Sequence, residues 1–328
     1  MATIKEIAEQ LDLSLSTVSI VLRGKARERH ISLQTEALVM ETARKLGYQP
    51  NLSARQLRGQ SQTLFIALYL SDDFRTPMML RFLSDLQQQM QSLANFELVV
   101  RLYHPGHLAE AVGPEIMQLF HAAIICNAAE EDLRALDVNP PRIPVVLYNR
   151  SSPVFPSVEF DSEAIGRIPA EVFSSHGRRK AVYLSSEANY PYLRVRQDAF
   201  LKTAHALGLE AEVMIQPNTM AGGAAAGAII AAMADRPDCL AAASNRLALG
   251  ALHSLQHIAI PQALELISVG NGDVEMAQYA TPALSVVELP MEEMARRCFA
   301  LLQECLAGRR PASETLAVRY LPRESCGA

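Results

Sequence analysis

Apolar positions at the start of the chain recur with helical spacing and are interrupted once. Ile4, Ile7, Ala8 and Leu11 fall at i, i+3, i+4 and i+7 and give a first helix one apolar face. Thr3 and Glu6 have capping-box spacing, which satisfies free backbone N–H groups at its start. Asp12-Leu13-Ser14 breaks the pattern, and Ser14 offers an N-cap oxygen to a second helix. That helix is expected to bury Val18, Val21 and Leu22 and to leave Leu15, Ser16, Ser19 and Ile20 outward. Two helices this short cannot bury their own apolar faces. A third is expected from Ser32 to Leu46, with Ser32 as cap, Ala37, Leu38, Ala43 and Leu46 inward, and Gly47 as the stop. The pattern is that of a helix-turn-helix, whose second helix enters a DNA major groove, although a plain three-helix bundle has the same periodicity.

Tyr48-Gln-Pro50-Asn51 breaks the third helix. A short helical stretch, Leu52 to Arg58, and a polar run, Gly59 to Thr63, then form a linker. A helix that short needs a partner to be stable. From Leu64 the hydropathy changes period. LFIALYL, FELVVRLY, AAIIC and IPVVLY are unalternating apolar runs, separated by helical stretches around Met78–Leu93, Leu108–Phe120 and Glu131–Leu136. Such runs read as buried parallel strands in a βαβ array. A second series follows: SVEF, KAVYLSS, EVMIQ, CLAAAS and LISVG. Its helices lie around Ala164–Ser175, Leu193–Leu207, Gly223–Ala234 and Leu247–His257. Two successive doubly wound sheets predict two lobes, with crossings near Pro153–Val158, Val287–Pro290 and Ala312–Leu316. The Gly and Ala residues of Ala221–Ala234 suit close helix packing.

Charge sharpens the reading of the head. Residues 1–62 carry nine Lys/Arg against six Asp/Glu, a net of +3, while the whole chain of 328 residues is at −5, so the remainder is at −8. A basic head on an acidic body suits a head that meets phosphate. Arg23, Lys25, Arg27 and Arg29 lie directly after the candidate recognition helix. The five cysteines, Cys126, Cys239, Cys298, Cys305 and Cys326, have no CxxC spacing, and Cys298 and Cys305 read as core positions of one helix. A start on a capped helix, no apolar run of spanning length and reduced thiols predict a cytoplasmic protein with no membrane partner.

The segments IKEIAEQLDLSLSTVSIVL, ISLQTEALVMETARKLGYQPN and ARQLRG resemble the DNA-binding head of LacI/GalR-type transcriptional regulators. The longer RGKARERHIS loop resembles the fructose- and sucrose-repressor branch. The resemblance implies an N-terminal three-helix helix-turn-helix head (1–48) and a hinge helix with linker (49–63). It implies a two-lobed α/β periplasmic-binding-protein-like body (64–328) built on two doubly wound parallel sheets. Lobe one is expected over 64–157 and 289–312, lobe two over 158–287 and 313–328. The resemblance also implies base reading by Leu15, Ser16 and Ile20, with Thr17 and Ser19 on the same helix. Asn51 and Ala54 then belong to a hinge helix that pairs with its copy on the operator minor groove. Leu57 is a wedge into a central base step there, a device that exchanges unstacking for contact area.

Open parallel sheets bind ligands beyond the carboxyl ends of their strands. Polar residues at those places are Asp72, Asp73, Arg75, Asn127, Asn149 and Arg150 in the first series, and Tyr190, Tyr192, Arg194, Arg196, Asn245, Arg246, Asn271 and Asp273 in the second. The family pattern assigns effector contact to Arg196 and Asn245 and sets Asn149, Arg246 and the stretch holding Asn271 and Asp273 at effector-facing positions; Arg75 and Tyr192 join them as candidates by their place at the strand ends. This chain departs from the pattern. Ala199 replaces the glycine after Arg196, Arg246 and Gly272 stand where carboxylates are common, and Asn149 stands where an aspartate often faces the ligand. Losing acidic hydroxyl acceptors and gaining arginine favours an anionic ligand, a sugar phosphate or sugar acid, over a neutral sugar. No enzyme constellation, cofactor motif or metal set is found. His253 and His257 stand four apart without a third ligand and read as a structural pair. The expected function is a dimeric repressor of carbohydrate-related genes on a palindromic operator, with the dimer favoured because no leucine heptad follows Leu321. The competing class is a solute-binding protein of the periplasmic type with a non-sugar ligand.

Overall fold

The structure, a computed structural model, describes residues 4–22, 26, 29, 31–46, 63–72, 76–91, 95–113, 119–187, 190–260, 262–270 and 274–327. The chain divides into two compact units, Met1–Gln62 and Thr63–Ala328.

The first unit contains α1 (Ile4–Leu11), α2 (Leu15–Leu22) and α3 (Leu33–Lys45). Asp12 ends α1 in the left-handed region at φ 50, and the Leu13 amide reaches back to the Ala8 carbonyl at 3.0 Å, a Schellman closure. Ser14 Oγ then accepts from the Thr17 amide at 3.0 Å and caps α2. Ser32 Oγ does the same for the Thr35 amide at 3.1 Å at the start of α3. Ile7, Ala8, Val18, Val21, Ala26, Val39 and Ala43 form the core.

Two expected faces are out of phase with the structure. In α3 the expected inward residues Ala37, Leu38 and Leu46 are exposed, and Val39, Thr42 and Ala43 are buried. Apolar residues run round the whole of α3, with Leu33 and Met40 also exposed, so periodicity alone does not fix its phase. In α2 Ser19 is buried rather than outward. This helix packs against both α1 and α3, so its buried arc is wide enough to take in Ser19 beside Val18.

The second unit holds two six-stranded sheets. Sheet one comprises β1 (Leu64–Ser71), β2 (Phe96–Tyr103), β3 (Ala122–Cys126), β4 (Val145–Tyr148), β5 (Ser157–Phe160) and β11 (Glu314–Leu316). Their order is β11-β5-β4-β3-β1-β2, and every pairing is parallel. Sheet two comprises β6 (Lys180–Ser186), β7 (Glu210–Gln216), β8 (Cys239–Ala242), β9 (Glu265–Gly270), β10 (Ser285–Glu288) and β12 (Arg319–Leu321). Their order is β12-β10-β9-β8-β6-β7, parallel except for β12 against β10.

Both faces of the inner strands β1, β3 and β4 of sheet one are buried, which is why those strands do not alternate in hydropathy. Ile66, Leu68 and Leu70 face a core that also holds Met79, Phe82 and Leu86 of α4 (Thr76–Gln91) and Cys298 and Leu302 of α12 (Met291–Leu306). Ala67 and Tyr69 face the opposite core, with Leu108 of α5 (Leu108–Ala111) and Leu133 and Leu136 of α6 (Glu130–Val138). In lobe two α7 (Ser162–Ser175) packs on α8 (Pro191–Ala206), and α9 (Met220–Ala232) packs on α10 (Asn245–Ser254). A short α11 (Val274–Gln278) follows β9.

The expected lobe boundaries shift. Ser157–Phe160 and Glu314–Leu316, expected in lobe two from residues 158 and 313, are both strands of sheet one. The chain therefore crosses at Asp161, at Leu289–Pro290 and at Ala317–Val318. A four-residue buried strand carries no mark of which sheet it joins; the partner strand decides. The expected helix to His257 ends at Ser254, so His253 and His257 do not share a helix face. Helix in the expected stretch 108–120 covers Leu108–Ala111 among the described residues.

Close approach of α9 and α10 depends on glycine. A Cβ at Gly223 would lie 2.2 Å from the Leu247 carbonyl oxygen, and one at Gly250 would lie 2.0 Å from that of Met220. Both contacts are with backbone, which cannot rotate away. Gly223→Ala is expected to lower unfolding free energy by at least about 2 kcal/mol through overpacking, read as a fall in the urea midpoint. A midpoint unchanged from that of the parent chain would show that the helices can separate at no cost.

Candidate functional site

In the first unit the candidate DNA-reading residues sort by exposure. Leu15 and Ser16 are exposed at the start of α2, Thr17 and Ile20 are half-buried, and Ser19 is buried. Ser14 Oγ bridges Ser16 Oγ at 2.7 Å and Thr17 Oγ1 at 2.8 Å, so the cap also orients the two hydroxyls beside it. Arg29 is exposed. Arg23, Lys25, Arg27, Asn51, Ala54 and Leu57 lie outside the described residues.

In the second unit the carboxyl ends of strands from both sheets carry the polar residues. Asn127 follows β3 and Asn149 follows β4, and both adopt the left-handed conformation, at φ 53 and 52. Asparagine tolerates that region better than most side chains. These turns aim main-chain carbonyls at Arg150. Arg150 is buried and donates from Nε to the Ala128 carbonyl at 2.6 Å, from Nη1 to that of Asn149 at 2.5 Å and from Nη2 to that of Asn127 at 3.1 Å. The Asn149 side chain is also buried, and its Oδ1 accepts from the Phe160 amide at 3.4 Å.

Lobe two answers with the first turns of α8. Tyr190 and Tyr192 stack with centroids 5.9 Å apart. The Arg196 guanidinium lies 4.7 Å from the Tyr192 ring centroid, and that of Arg150 lies 5.0 Å from the same centroid and 5.6 Å from that of Tyr190. One aromatic ring thus contacts a guanidinium from each lobe. Arg196 is 4% exposed, and its Nε has no hydrogen-bond partner. Burial pushes its guanidinium below the ordinary arginine range, opposed by the neighbouring Tyr192, Tyr183 and Tyr148. Among the described residues no carboxylate pairs with it. The Tyr183 hydroxyl and Asn127 Oδ1 are buried without a partner too, and burial pushes Tyr183 up to about 12. Unsatisfied buried groups are rare enough that each needs a cause.

Asn245 begins α10 after the Ser244 cap, and its Oδ1 accepts from Ser268 Oγ at 2.6 Å. Arg246 is half-buried in the first turn of α10, the end of a helix that disfavours a cation unless an anion is near. Arg75, Asn271 and Asp273 lie outside the described residues. The structure therefore brings Tyr192 and Arg196 together with Arg150, a residue noticed at a strand end but given no effector role by sequence. The signal was faint: only the folded turns at Asn127 and Asn149 show that Arg150 is held facing lobe two. Among the described residues no helix is long and apolar enough to cross a membrane.

Comparison with known proteins bears on both units. Residues 3–51 match the family model described as bacterial regulatory proteins, lacI family, and residues 170–326 match a periplasmic binding protein-like domain. The HTH-type transcriptional regulator GalS of Salmonella typhimurium is 27% identical over 94% of this chain and 91% of its own length. The HTH-type transcriptional repressor PurR of Vibrio vulnificus is 24% identical over 93% and 92%. Among solved structures, a LacI family transcription regulator from Clostridium acetobutylicum is 27% identical, with a TM-score of 0.75 over 80% of this chain and 100% of that one. The lac repressor dimer bound to operator and the anti-inducer ONPF shares the fold at 19% identity, with a TM-score of 0.79 over 100% and 99%. The head expected from the helix pattern and the two-sheet body are thus those of one known architecture. Residues 3–51 thus match the LacI family of bacterial regulatory proteins, and the relatives that match nearly the whole chain are HTH-type transcriptional regulators rather than enzymes.

Proposed function

We propose that the chain is a cytoplasmic, homodimeric repressor of carbohydrate-related genes on a palindromic operator, and that a small anionic ligand between the lobes sets its affinity for DNA. The ligand class is a sugar phosphate or sugar acid. The observation that carries this reading is Arg196, buried, with an unpartnered Nε, beside a ring that a guanidinium of the other lobe also touches. Two cations held this close oppose closure of the lobes when nothing lies between them. An anion reverses the sign of that term and makes closure favourable. Arg246 in the first turn of α10 adds to the reading, because an anion there offsets its conflict with the helix dipole. Asn149 and Asn245, each already hydrogen-bonded within its own lobe, then shape the cleft around the ligand, with Arg75, Asn271 and Asp273 proposed from sequence alone.

Dimerisation is supported by an apolar patch. Leu80 of α4 and Val100 and Leu102 of β2 are 59%, 41% and 64% exposed. Val100 and Leu102 are in register with Leu68 and Leu70, so they share the sheet face that α4 covers. On the DNA side, Leu15, Ser16, Thr17 and Ile20 are the proposed base readers, with thymine methyls as partners for the apolar pair. Ser19, being buried, is left out. Arg23, Lys25, Arg27 and Arg29 are proposed phosphate contacts, and Asn51, Ala54 and Leu57 the hinge contacts.

Arg196→Ala is expected to abolish the response to ligand while operator binding persists, since a charge-assisted hydrogen bond is roughly twice as strong as a neutral one. Thermal-shift screening of free sugars beside their phosphates and acids checks the charge. A shift with uncharged sugars and none with the anions would overturn it. Arg29→Ala should weaken binding to all DNA sequences alike and lower the salt slope by about one; a loss confined to one base position would show direct readout instead. Leu57→Ala should reduce operator bending and specific affinity without changing thermal stability. Equal bend angles for both proteins would make the linker a simple tether.

A further inference from the structure

Among the described residues, one group of three side chains has the composition and spacing of a metal site: His176, Glu265 and Cys326. His176 caps the end of α7, Glu265 opens β9, and Cys326 lies beyond β12. His176 Nδ1 is 3.1 Å from Glu265 Oε2 and 3.9 Å from Cys326 Sγ, and Sγ is 3.3 Å from the same Oε2. The thiol is fully buried and the carboxylate nearly so, while the imidazole is one-third exposed.

We infer that these three side chains bind a thiophilic divalent cation, zinc(II), in a site separate from the interlobe cleft. Zinc takes nitrogen and oxygen at about 2.0–2.1 Å and sulfur at about 2.3 Å in a tetrahedron, which sets its ligand atoms about 3.3–3.6 Å apart. The three separations here lie within about half an ångström of that range. The donor set of one imidazole, one carboxylate and one thiolate suits zinc rather than a hard cation. It also balances charge: a neutral imidazole, a carboxylate and a thiolate carry two negative charges against the two positive charges of the ion.

Arg178 is the obvious objection, since its Nη2 lies 3.1 Å from Glu265 Oε1. That bond occupies one carboxylate oxygen and leaves the other, Oε2, as the atom nearest the thiol. Arg178 then acts as the outer partner that orients a ligating carboxylate. On binding, the thiol gives up its proton to solvent as the sulfur–zinc bond forms, and the imidazole keeps its single proton on Nε2. The fourth position falls to water on the open, histidine side. Gly327, at φ 43, keeps that side clear: a Cβ there would lie 3.0 Å from His176 Cε1 and 3.4 Å from Nδ1.

Cobalt(II) titration of the chelator-treated, full-length protein tests this. About one equivalent per chain should bind, with a thiolate-to-cobalt charge-transfer band and the visible bands of a tetrahedral ion. Cys326→Ser should remove the charge-transfer band, although Cys126, Cys239, Cys298 and Cys305 remain. His176→Ala, at a partly exposed position, should weaken binding at least tenfold and keeps the test valid if the Cys326 variant fails to fold. Zinc should raise the melting temperature of the parent and not that of either variant. No charge-transfer band in the folded parent, or one that survives both substitutions, overturns the assignment.

Discussion

Arg196 carries a positive charge that it cannot shed in a place water does not reach. Arginine stays protonated across the accessible pH range, and taking an ion of that size out of water costs several kcal/mol even after relaxation. The face of Tyr192 offsets about 2 kcal/mol of that. Arg150, at the same ring, has a different solution: three main-chain carbonyls receive its donors. Those carbonyls converge because two asparagines turn the chain in the left-handed region. One arginine is thus a fixture of its lobe, and the other is left with an unsatisfied donor. On the proposed reading, this asymmetry makes the cleft a binding site rather than a buried polar cluster.

This constraint also bears on how a ligand can act at a distance. A ligand shifts an equilibrium only by its differential affinity for the two states. On the proposed reading the differential is electrostatic. An anion that meets both guanidiniums favours the arrangement in which they are close, and without it their repulsion favours separation. Contacts made within one lobe alone would add affinity and no coupling. Asn245 and Asn149, bonded inside their own lobes, belong to that class, whereas Arg150 and Arg196 bear on closure.

The parts of the structure legible in sequence were those fixed by local chemistry. The serine caps at Ser14 and Ser32, the break at Asp12 and the buried strands were all readable because each depends on a few neighbouring residues. The phase of α3 was not, because Leu33, Leu38, Met40 and Leu46 spread apolar surface round the helix. Sheet membership of Ser157–Phe160 and Glu314–Leu316 was not, because it depends on which strand lies alongside. Arg196 could be singled out through the family motif; Arg150 could not, since its role arises from carbonyls of residues 127 and 128 brought to it by folding. The His176, Glu265 and Cys326 group lay further out of reach, with 89 and 61 residues separating Glu265 from the other two.

That group sits at the opposite end of β9 from the cleft. Glu265 opens the strand and Gly270 closes it, about 17 Å apart at the usual rise per residue. Between the two ends lobe two is packed without slack: α9 and α10 touch backbone to backbone at Gly223 and Gly250, and Ser325 Oγ donates to the Leu266 carbonyl at 2.6 Å. A lobe that flexed internally would absorb the force of closure at the cleft instead of moving as one piece. Tying segment 322–327 to the start of β9 and the end of α7 stiffens the end of the lobe that the cleft residues do not reach. On the two proposals together, the charge in the cleft and the fastening at the far end serve one mechanical requirement, a lobe that moves as one piece when the cleft closes.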